Sequence, residues 1–122
     1  MSEESTRVLL VDDEVGFVEV LHKRLNKRGF AVTPATSGTE GIQVLRKNDF
    51  DVAILDLKLE DMDGIEVLEI FKKMVPEMPV IMLTGHGSEQ AARDGMEHGA
   101  FDYLLKPCAL EDLIEKIDQA VL

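Results

Sequence analysis

The amino-acid sequence predicts an α/β fold: a doubly wound, five-stranded parallel sheet with helices on both faces. Short apolar runs alternate with helical patterns five times along the 122 residues, and no linker, low-complexity tract or internal repeat interrupts them. Connections between parallel strands cross over with a right hand, so successive helices cover both faces of one sheet. We therefore expect a single domain over residues 1–122, of which residues 1–6 form an N-terminal tail.

The composition is that of a globular chain with a strongly acidic balance. Against 13 bases stand 24 acids, which gives a formal charge of −11. Because proteins gain most of their affinity for nucleic acids from Lys and Arg on phosphates, we expect no direct nucleic-acid contact by this chain. The sequence contains no run of about twenty apolar residues, so no membrane span is predicted, and no secretory signal is recognisable. A single cysteine, Cys108, fits a reducing compartment, so we predict a cytoplasmic location.

The first strand and helix are predicted from a buried run and an apolar face. Arg7–Val11 is a short apolar run, typical of a buried strand. Glu14–Arg28 has helical spacing, and Gly29 is placed to end the helix. The residues spaced by four along its apolar face are Phe17, Leu21 and Leu25.

The second unit has weaker strand character and a clearer helix start. Phe30–Thr33 is predicted as a strand, with Pro34 marking either its end or an edge position. Ser37 and Glu40 have the spacing of a capping box, which predicts a helix from there to about Asn48.

Three further units repeat the strand–helix pattern. The strands are predicted at Asp51–Asp56, Pro79–Leu83 and Ala100–Leu105. The helices are predicted from Gly64 to Met74, from a cap at Ser88 to about His98, and over Leu110–Val121.

Polar side chains stand where the predicted strands end. Asp12 and Asp13 follow the first strand, and Asp56 ends the third. Thr84 follows the fourth strand and Lys106 the fifth. Each residue alone has an ordinary interpretation, as a helix cap, a strand-end residue or a solvent-exposed lysine. Because the carboxyl ends of parallel strands border one crevice, we expect the set to converge, and capping does not explain three acids opposed by one lysine.

Three carboxylates close together need a compensating cation. At an effective dielectric of about 20, two charges ~4 Å apart repel by about 4 kcal/mol. Magnesium prefers oxygen ligands and is typically held by one or two carboxylates together with phosphate oxygens. A dication, an ammonium and a hydroxyl are the groups that neutralise a phosphoryl group in transfer, so the residue types favour phosphoryl chemistry.

Four segments together resemble the receiver domain of two-component response regulators. They are VLLVDDE, DVAILDLKLEDMDG, VIMLTGHG and FDYLLKP, in this order. The resemblance runs from Arg7 to the closing helix and so covers essentially the whole chain. It implies the strand order 2-1-3-4-5 in a flavodoxin-like three-layer sandwich with five helices.

The resemblance also assigns roles by position. It implies that Asp56 is the phosphoacceptor, attacking phosphorus to form an aspartyl phosphate. It implies a Mg²⁺ (or Mn²⁺) site in which Asp13 and Asp56 are ligands, Asp12 acts through water and the backbone carbonyl of Lys58 completes the set.

Other matched positions concern the phosphoryl group and the response to it. Lys106 would pair with the phosphoryl oxygens and Thr84 would hydrogen-bond one of them, while Gly85 leaves space for the group. Tyr103 matches the switch aromatic, which turns inward when the threonine moves and changes the surface of the fourth helix, fifth strand and fifth helix. The bond before Pro107 is cis in the family.

The partners expected from the resemblance are proteins of a phosphorelay. A histidine kinase, a phosphotransfer protein or a small donor would supply the phosphoryl group, and we expect no turnover of an independent substrate. The kinase would pack on the first helix, with candidate contacts at Glu14, Gly16, Phe17 and Val20. An output domain or downstream protein, or a second copy in a phosphorylation-dependent homodimer, would bind the switched surface. The segment GHGSEQAARDGMEHGAFDYLLKP resembles receivers that precede transcription-activating ATPase domains.

The sequence departs from the family pattern near the site. Glu60 stands four residues after Asp56, where proline is usual, and brings a negative charge close to the predicted metal. Lys58 and His86 occupy positions that in the family tune hydrolysis of the phosphoryl group, and neither direction is predicted.

Other interpretations remain open at this point. A degenerate receiver that only binds partners would not need the complete set of strand-end residues. A flavin carrier would have a Gly-, Ser- and Thr-rich turn after the first strand, and an aspartate phosphatase a second acid where Lys58 stands. Asp61–Gly64 lacks the ligand spacing of a calcium-binding EF-hand. The basic run from His22 to Arg28 is interpreted as a solvated helix face, with a docking surface for an acidic partner as the alternative.

Overall fold

A computed structural model describes residues 5–85 and 88–122, in which five strands alternate with five helices. The strands are β1 (Arg7–Val11), β2 (Ala31–Ala35), β3 (Val52–Asp56), β4 (Val80–Thr84) and β5 (Asp102–Leu105). The helices are α1 (Val15–Lys27), α2 (Gly38–Lys47), α3 (Gly64–Met74), α4 (Glu89–Glu97) and α5 (Leu110–Ala120). All strand pairs are parallel, in the order β2-β1-β3-β4-β5, which confirms the predicted fold and strand order.

The sheet separates two apolar cores. Side chains alternate across a strand, so Val8 and Leu10 of β1 point to one face while Leu9 and Val11 point to the other. The first face packs against α1 and α5, and the second packs against α2 and α3, with Phe71 fully buried there. Strands covered on both faces are apolar throughout, which explains the continuous runs in the sequence.

The second strand differs from its prediction. It lies at Ala31–Ala35 rather than Phe30–Thr33 and continues through Pro34, which pairs with Leu10 of β1. Among the described strands, β2 has β1 as its single neighbour, so it is an edge strand. Proline lacks an amide hydrogen and is tolerated at an edge, so of the two predicted meanings of Pro34 the edge position is correct.

Two helix starts show where capping was predicted correctly and where it was not. The hydroxyl of Ser37 accepts a hydrogen bond from Glu40 N at 3.0 Å, while the Glu40 carboxylate turns back to Thr36 N at 2.6 Å. Ser88 precedes α4, but its hydroxyl makes no capping bond, and its φ and ψ of −112° and 18° are not extended. The predicted helix start at Ser88 is therefore confirmed by position, but the capping hydrogen bond is absent among the described residues, because a serine side chain typically caps from an extended conformation.

The described part of the chain contains no helix that is both long and apolar enough to cross a membrane.

Candidate functional site

The three predicted acids lie together at the carboxyl ends of two neighbouring strands. Val11 of β1 stands opposite Leu55 of β3, so Asp12 and Asp56 are the next residues on adjacent strands. One carboxylate oxygen from each of Asp12, Asp13 and Asp56 lies within 4.8 Å of the other two. Asp12 and Asp56 are buried and Asp13 is half-buried, so solvent reaches the cluster on the side of Asp13.

Backbone amides orient each of these carboxylates. The donor–acceptor pairs are Glu14 N to Asp12 Oδ1 (2.9 Å), Glu60 N to Asp13 Oδ2 (2.9 Å) and Lys58 N to Asp56 Oδ1 (3.1 Å). A hydrogen bond from a backbone amide restricts the rotamer of the carboxylate that accepts it. The loops after β1 and β3 therefore hold the acids in one arrangement.

Glu60 stands where the family pattern has proline, and its backbone amide makes a hydrogen bond that a proline could not make. A proline at position 60 would have no N–H to donate, so the bond to Asp13 depends on the residue that this chain carries there. The Glu60 side chain is exposed, beside Asp13 and Asp61 in a shallow cleft. The site thus has an additional anchor for Asp13 together with an additional negative charge at its rim.

Lys106 reaches the acids from the end of β5, an edge strand that β4 separates from β3. Its Nζ lies 2.6 Å from Asp12 Oδ2, 2.9 Å from Glu14 Oε1 and 3.3 Å from Asp56 Oδ2. The ring centroid of Phe17 lies 4.4 Å from the same nitrogen, a cation–π distance. The peptide bond after Lys106, to Pro107, is cis. The ammonium therefore contacts both the predicted phosphoacceptor and one of the predicted metal-holding acids.

Burial and charge shift the pKa values of this pair. Burial raises the pKa of the Asp12 carboxyl and outweighs the lowering by the Lys106 ammonium, while the charge of Asp56 adds to the rise. Burial opposes the charged form of Lys106, but its hydrogen bonds to Asp12 and Glu14 raise the pKa of the ammonium above its ordinary value. At neutral pH the lysine is therefore charged, and in the described residues one ammonium faces a larger number of carboxylates.

Thr84 lies on β4, the strand next to that of Asp56, and Tyr103 lies on β5, one strand further out. Leu83 stands opposite Asp56, so Thr84 ends β4 one residue further along. The Thr84 side chain is fully buried, and its hydroxyl oxygen has no hydrogen-bond partner among the described residues. Tyr103 of β5 is half-buried and packs against the core that contains Phe71. An unpaired buried hydroxyl is costly, so Thr84 has a hydrogen bond to gain from a ligand.

Comparison with known proteins agrees with this geometry. A family model described as the response regulator receiver domain matches residues 8–118. The chain belongs to this family. Receiver domains are components of two-component response regulators, and the predicted family is confirmed.

The relatives of this receiver are longer proteins. The transcriptional regulatory protein GlrR of Escherichia coli K12 is 40% identical over 121 residues, which cover 99% of this chain and 27% of the relative. The transcriptional regulatory protein ZraR of the same strain is 31% identical over the same shares of each. The receiver thus spans about a quarter of the length of these curated relatives.

Solved structures of receivers superimpose closely on this one. A receiver domain protein from Clostridium thermocellum has a TM-score of 0.91 at 37% identity, covering 95% of this chain and 94% of that one. The receiver domain of NtrX from Brucella abortus has a TM-score of 0.89 at 29% identity, covering 93% and 97%.

The β3–α3 loop of the receiver is held by two aspartates. Asp61 accepts hydrogen bonds from Gly38 N and Thr39 N, both at 2.9 Å, and from Thr39 Oγ1 at 2.8 Å. These donors lower the pKa of the Asp61 carboxyl and link the loop to the start of α2. Asp63 accepts from Ile65 N at 2.9 Å and caps α3. The acids that superficially suggest a calcium loop therefore cap helices, and the contact of Asp61 has no local sequence signal because its partners lie 22 and 23 residues away.

The candidate docking residues of the receiver lie at the N-cap and in the first two turns of α1. Glu14, Gly16 and Val20 are exposed, and Phe17 is half-buried above Lys106. Beside this surface, α1 and the entry to α5 form a small groove of about 80 Å³. Its lining residues are Phe17, Val20, Leu21, Arg24, Cys108, Leu110 and Leu113. Docking at this surface stays a prediction, as do the roles assigned to the individual site residues.

The donor set of the receiver fits a hard divalent cation. Oxygen ligands are what Mg²⁺ prefers, and the three clustered carboxylates carry more negative charge than Lys106 neutralises. The Lys58 carbonyl stays a predicted ligand; in the structure the amide of Lys58 donates to Asp56, and the residue forms an isolated antiparallel bridge with Asp63. His86, predicted to tune hydrolysis, lies outside the described residues.

Proposed function

We propose that this receiver accepts a phosphoryl group on Asp56 in the presence of Mg²⁺ or Mn²⁺ and transmits its presence to another domain or protein. The observation that carries the proposal is the convergence of three strand-end acids within 4.8 Å, with Lys106 Nζ 3.3 Å from Asp56 Oδ2. Phosphoryl transfer needs an oxygen nucleophile and cationic groups around the phosphoryl oxygens, and this arrangement supplies both kinds of group.

The proposed step is a displacement at phosphorus. A carboxylate oxygen of Asp56 forms a bond to phosphorus while the bond from phosphorus to the donor breaks. A phosphohistidine donor keeps the electron pair on its imidazole nitrogen, whereas acetyl phosphate gives up its phosphoryl group and releases acetate as the leaving group. Water later attacks the aspartyl phosphate, releases inorganic phosphate and restores the carboxylate. The receiver turns over no independent substrate in this scheme.

The residues of the site would have separate roles in phosphoryl transfer. Asp12, Asp13, Asp56 and the Lys58 carbonyl would hold the metal, which when bound would neutralise charge on the phosphoryl oxygens. Lys106 would donate to one of those oxygens, and the hydroxyl of Thr84, which has no partner among the described residues, would donate to another. The amide of Lys58 keeps Asp56 oriented toward the crevice.

The proposed response is a shift in the populations of two conformations of the α4–β5–α5 surface. When Thr84 moves toward the phosphoryl group, Tyr103 gains space to turn inward from its half-buried position. That change would favour one conformation of the α4–β5–α5 surface over another that already exists.

The proposed partners follow from the surfaces and from the relatives. A histidine kinase or phosphotransfer protein would dock on α1, where Val20 is 51% exposed beside the groove to α5. GlrR and ZraR are transcriptional regulatory proteins about four times the length of this match, so we propose an output domain that acts in transcription. With a formal charge of −11, the receiver itself would leave DNA contact to that domain. Phosphorylation-dependent pairing of two α4–β5–α5 surfaces is also proposed.

Phosphorylation by a small donor tests the chemistry without a kinase. The wild type is incubated with acetyl phosphate with and without Mg²⁺, and the phosphorylated fraction is measured by intact mass and by phosphate-affinity gel. We expect one added phosphoryl group that requires Mg²⁺ and is lost in Asp56→Asn. Modification of Asp56→Asn at the wild-type rate would contradict the assignment.

Asp49→Asn is the matched control for the loss of one carboxylate. Asp49 is exposed and precedes β3 at the opposite end of the strand from Asp56. It should be phosphorylated like the wild type. Amide chemical shifts with beryllofluoride and Mg²⁺ then test the response, which should include Thr84, Tyr103 and residues of α4.

A further inference from the structure

We propose that Glu14 is a displaceable counter-ion for Lys106: it occupies one N–H donor of the lysine in the unphosphorylated receiver and releases it when a phosphoryl group arrives. The proposal rests on the proposed function, in which Lys106 binds a phosphoryl oxygen. It adds a competitor for that lysine, and it predicts that removing Glu14 strengthens binding of the phosphoryl group.

The first argument is the number of donors on the ammonium. Lysine carries three N–H groups and no acceptor. In the described structure Lys106 Nζ lies within hydrogen-bond distance of three different carboxylates, those of Asp12, Glu14 and Asp56. The Phe17 ring lies 4.4 Å from Nζ as well. A phosphoryl oxygen can therefore gain a hydrogen bond from Lys106 only if one of the three carboxylates gives it up.

The second argument is which contact costs least to break. Asp12 is buried, with 1% of its side chain exposed, and holds Lys106 at 2.6 Å. Asp56 is also buried and would carry the phosphoryl group itself. The side chain of Glu14 is 63% exposed, so its carboxylate regains hydration as soon as it leaves the lysine. Exposed ion pairs are weak for this reason, whereas an unpaired buried carboxylate is costly.

The third argument is the place of Glu14 at the start of α1. It is the N-cap residue, with φ and ψ of −81° and 93°, yet its side chain makes no capping hydrogen bond. Glutamate is not among the favoured N-cap residues, whereas aspartate caps well from this conformation. The long side chain instead reaches Lys106, 92 residues away in the chain. An aspartate at position 14 would keep the charge, lose the reach and have a helix amide to bind.

Affinity for beryllofluoride in the presence of Mg²⁺ measures the competition without any kinase. The titration is followed by amide shifts or calorimetry for the wild type, Glu14→Gln, Glu14→Asp and Glu19→Gln. We expect Glu14→Gln to bind about threefold to fivefold more tightly than the wild type, the range for one exposed ion pair. Glu19 is exposed on the same helix, so Glu19→Gln controls for the loss of one negative charge and should bind like the wild type.

Glu14→Asp separates the contact with Lys106 from the electrostatic field of the site. If release of the lysine is the cause, Glu14→Asp should also bind more tightly, although its charge is unchanged. If Glu14→Asp behaves like the wild type while Glu14→Gln is tighter, the effect is the field and the counter-ion role is overturned. Equal affinities for the wild type and Glu14→Gln would overturn it as well.

The wild-type titration keeps this proposal distinct from the function on which it rests. Absence of any Mg²⁺-dependent beryllofluoride binding by the wild type would count against the proposed function itself. Binding by the wild type that does not respond to Glu14 would leave that function intact and remove the counter-ion. Because the titration contains no kinase, a separate role of Glu14 in kinase docking does not affect the comparison.

Discussion

Lys106 and Asp12 form a 2.6 Å ion pair that joins the end of β5 to the end of β1 across the two strands between them. The lysine is closer to this acid than to Asp56, at 3.3 Å. The pair therefore connects the edge of the sheet that carries Tyr103 with the loop that begins α1. It also neutralises one of the two most buried acids of the site.

Loss of the lysine should destabilise the receiver. Lys106→Met would leave Asp12 buried without its cation, and we expect the free energy of unfolding to fall by about 2–4 kcal/mol in the absence of metal. Urea unfolding at neutral pH measures this, and saturating Mg²⁺ should restore part of the loss. Lys116→Met is the control, because the Lys116–Asp102 pair is more exposed and should contribute less than about 1 kcal/mol. Equal effects of the two variants would contradict the importance assigned to Lys106.

Replacement of the Thr84 hydroxyl should have different effects on the stability of the receiver and on its response to a phosphoryl analogue. Thr84→Val keeps the shape of a fully buried side chain and removes an oxygen without a described partner. We expect the free energy of unfolding to rise by about 0.5–1 kcal/mol. The amide shift of Tyr103 on addition of beryllofluoride should shrink. A stability loss of more than about 1 kcal/mol would mean that the hydroxyl has a partner in solution.

Two glycines near the site should respond in opposite directions to the same change. A Cβ at Gly64 would lie 2.5 Å from the backbone oxygen of Leu57, and backbone cannot move aside cheaply. Gly64→Ala should therefore destabilise the receiver by about 3 kcal/mol, as for other severe overpacking. Gly16 of α1 has no atom within 4 Å of such a Cβ, so Gly16→Ala should stabilise by up to about 1 kcal/mol. Thermal unfolding of the two variants compares them directly.

The ion pair at the opposite end of the sheet should make a pH-dependent contribution. The hydrogen bond from Arg7 lowers the pKa of Asp51 against the opposing effect of burial, and Arg7 NH2 lies 3.0 Å from Asp51 Oδ1. A lowered carboxyl pKa stabilises the fold above the ordinary aspartate value of about 3.9 and loses that effect as the pH falls through the folded value. Asp51→Asn should cost about 0.5 kcal/mol at pH 7, since the pair is partly exposed. The difference from the wild type should disappear in acid, and a difference that grows in acid would contradict the sign.

The strands and the strand-end residues could be predicted because their signals are local. Apolar runs such as Asp51–Asp56 mark strands buried on both faces, and parallel strands bring their carboxyl ends to one edge whatever the connecting helices contain. The meeting of Asp12, Asp13 and Asp56 follows from that topology. Their individual roles stay predictions that phosphorylation and metal titrations can test.

Distant contacts that do not follow from the alignment of the strand ends could not be predicted. Glu14 meets Lys106 across 92 residues, and Asp61 caps α2 across 22 and 23 residues, so neither contact leaves a periodic pattern. The capping hydrogen bond expected from Ser88 is absent for a different reason. Its residue type fits a cap, but its backbone conformation does not, and conformation at a loop end is set by tertiary packing.

In the proposed scheme, the docking helix α1 and the switch residue Tyr103 rest on different cores of the receiver. Val18 and Leu21 of α1 pack on one face of the sheet, whereas Tyr103 packs on the other. In that scheme, substitutions beneath α1 would change which donor protein is recognised while the packing around Tyr103 is kept, and α5 would be the helix of the response surface that shares the core of α1. Gene duplication followed by divergence of one layer would in this way yield insulated signalling channels from a single scaffold.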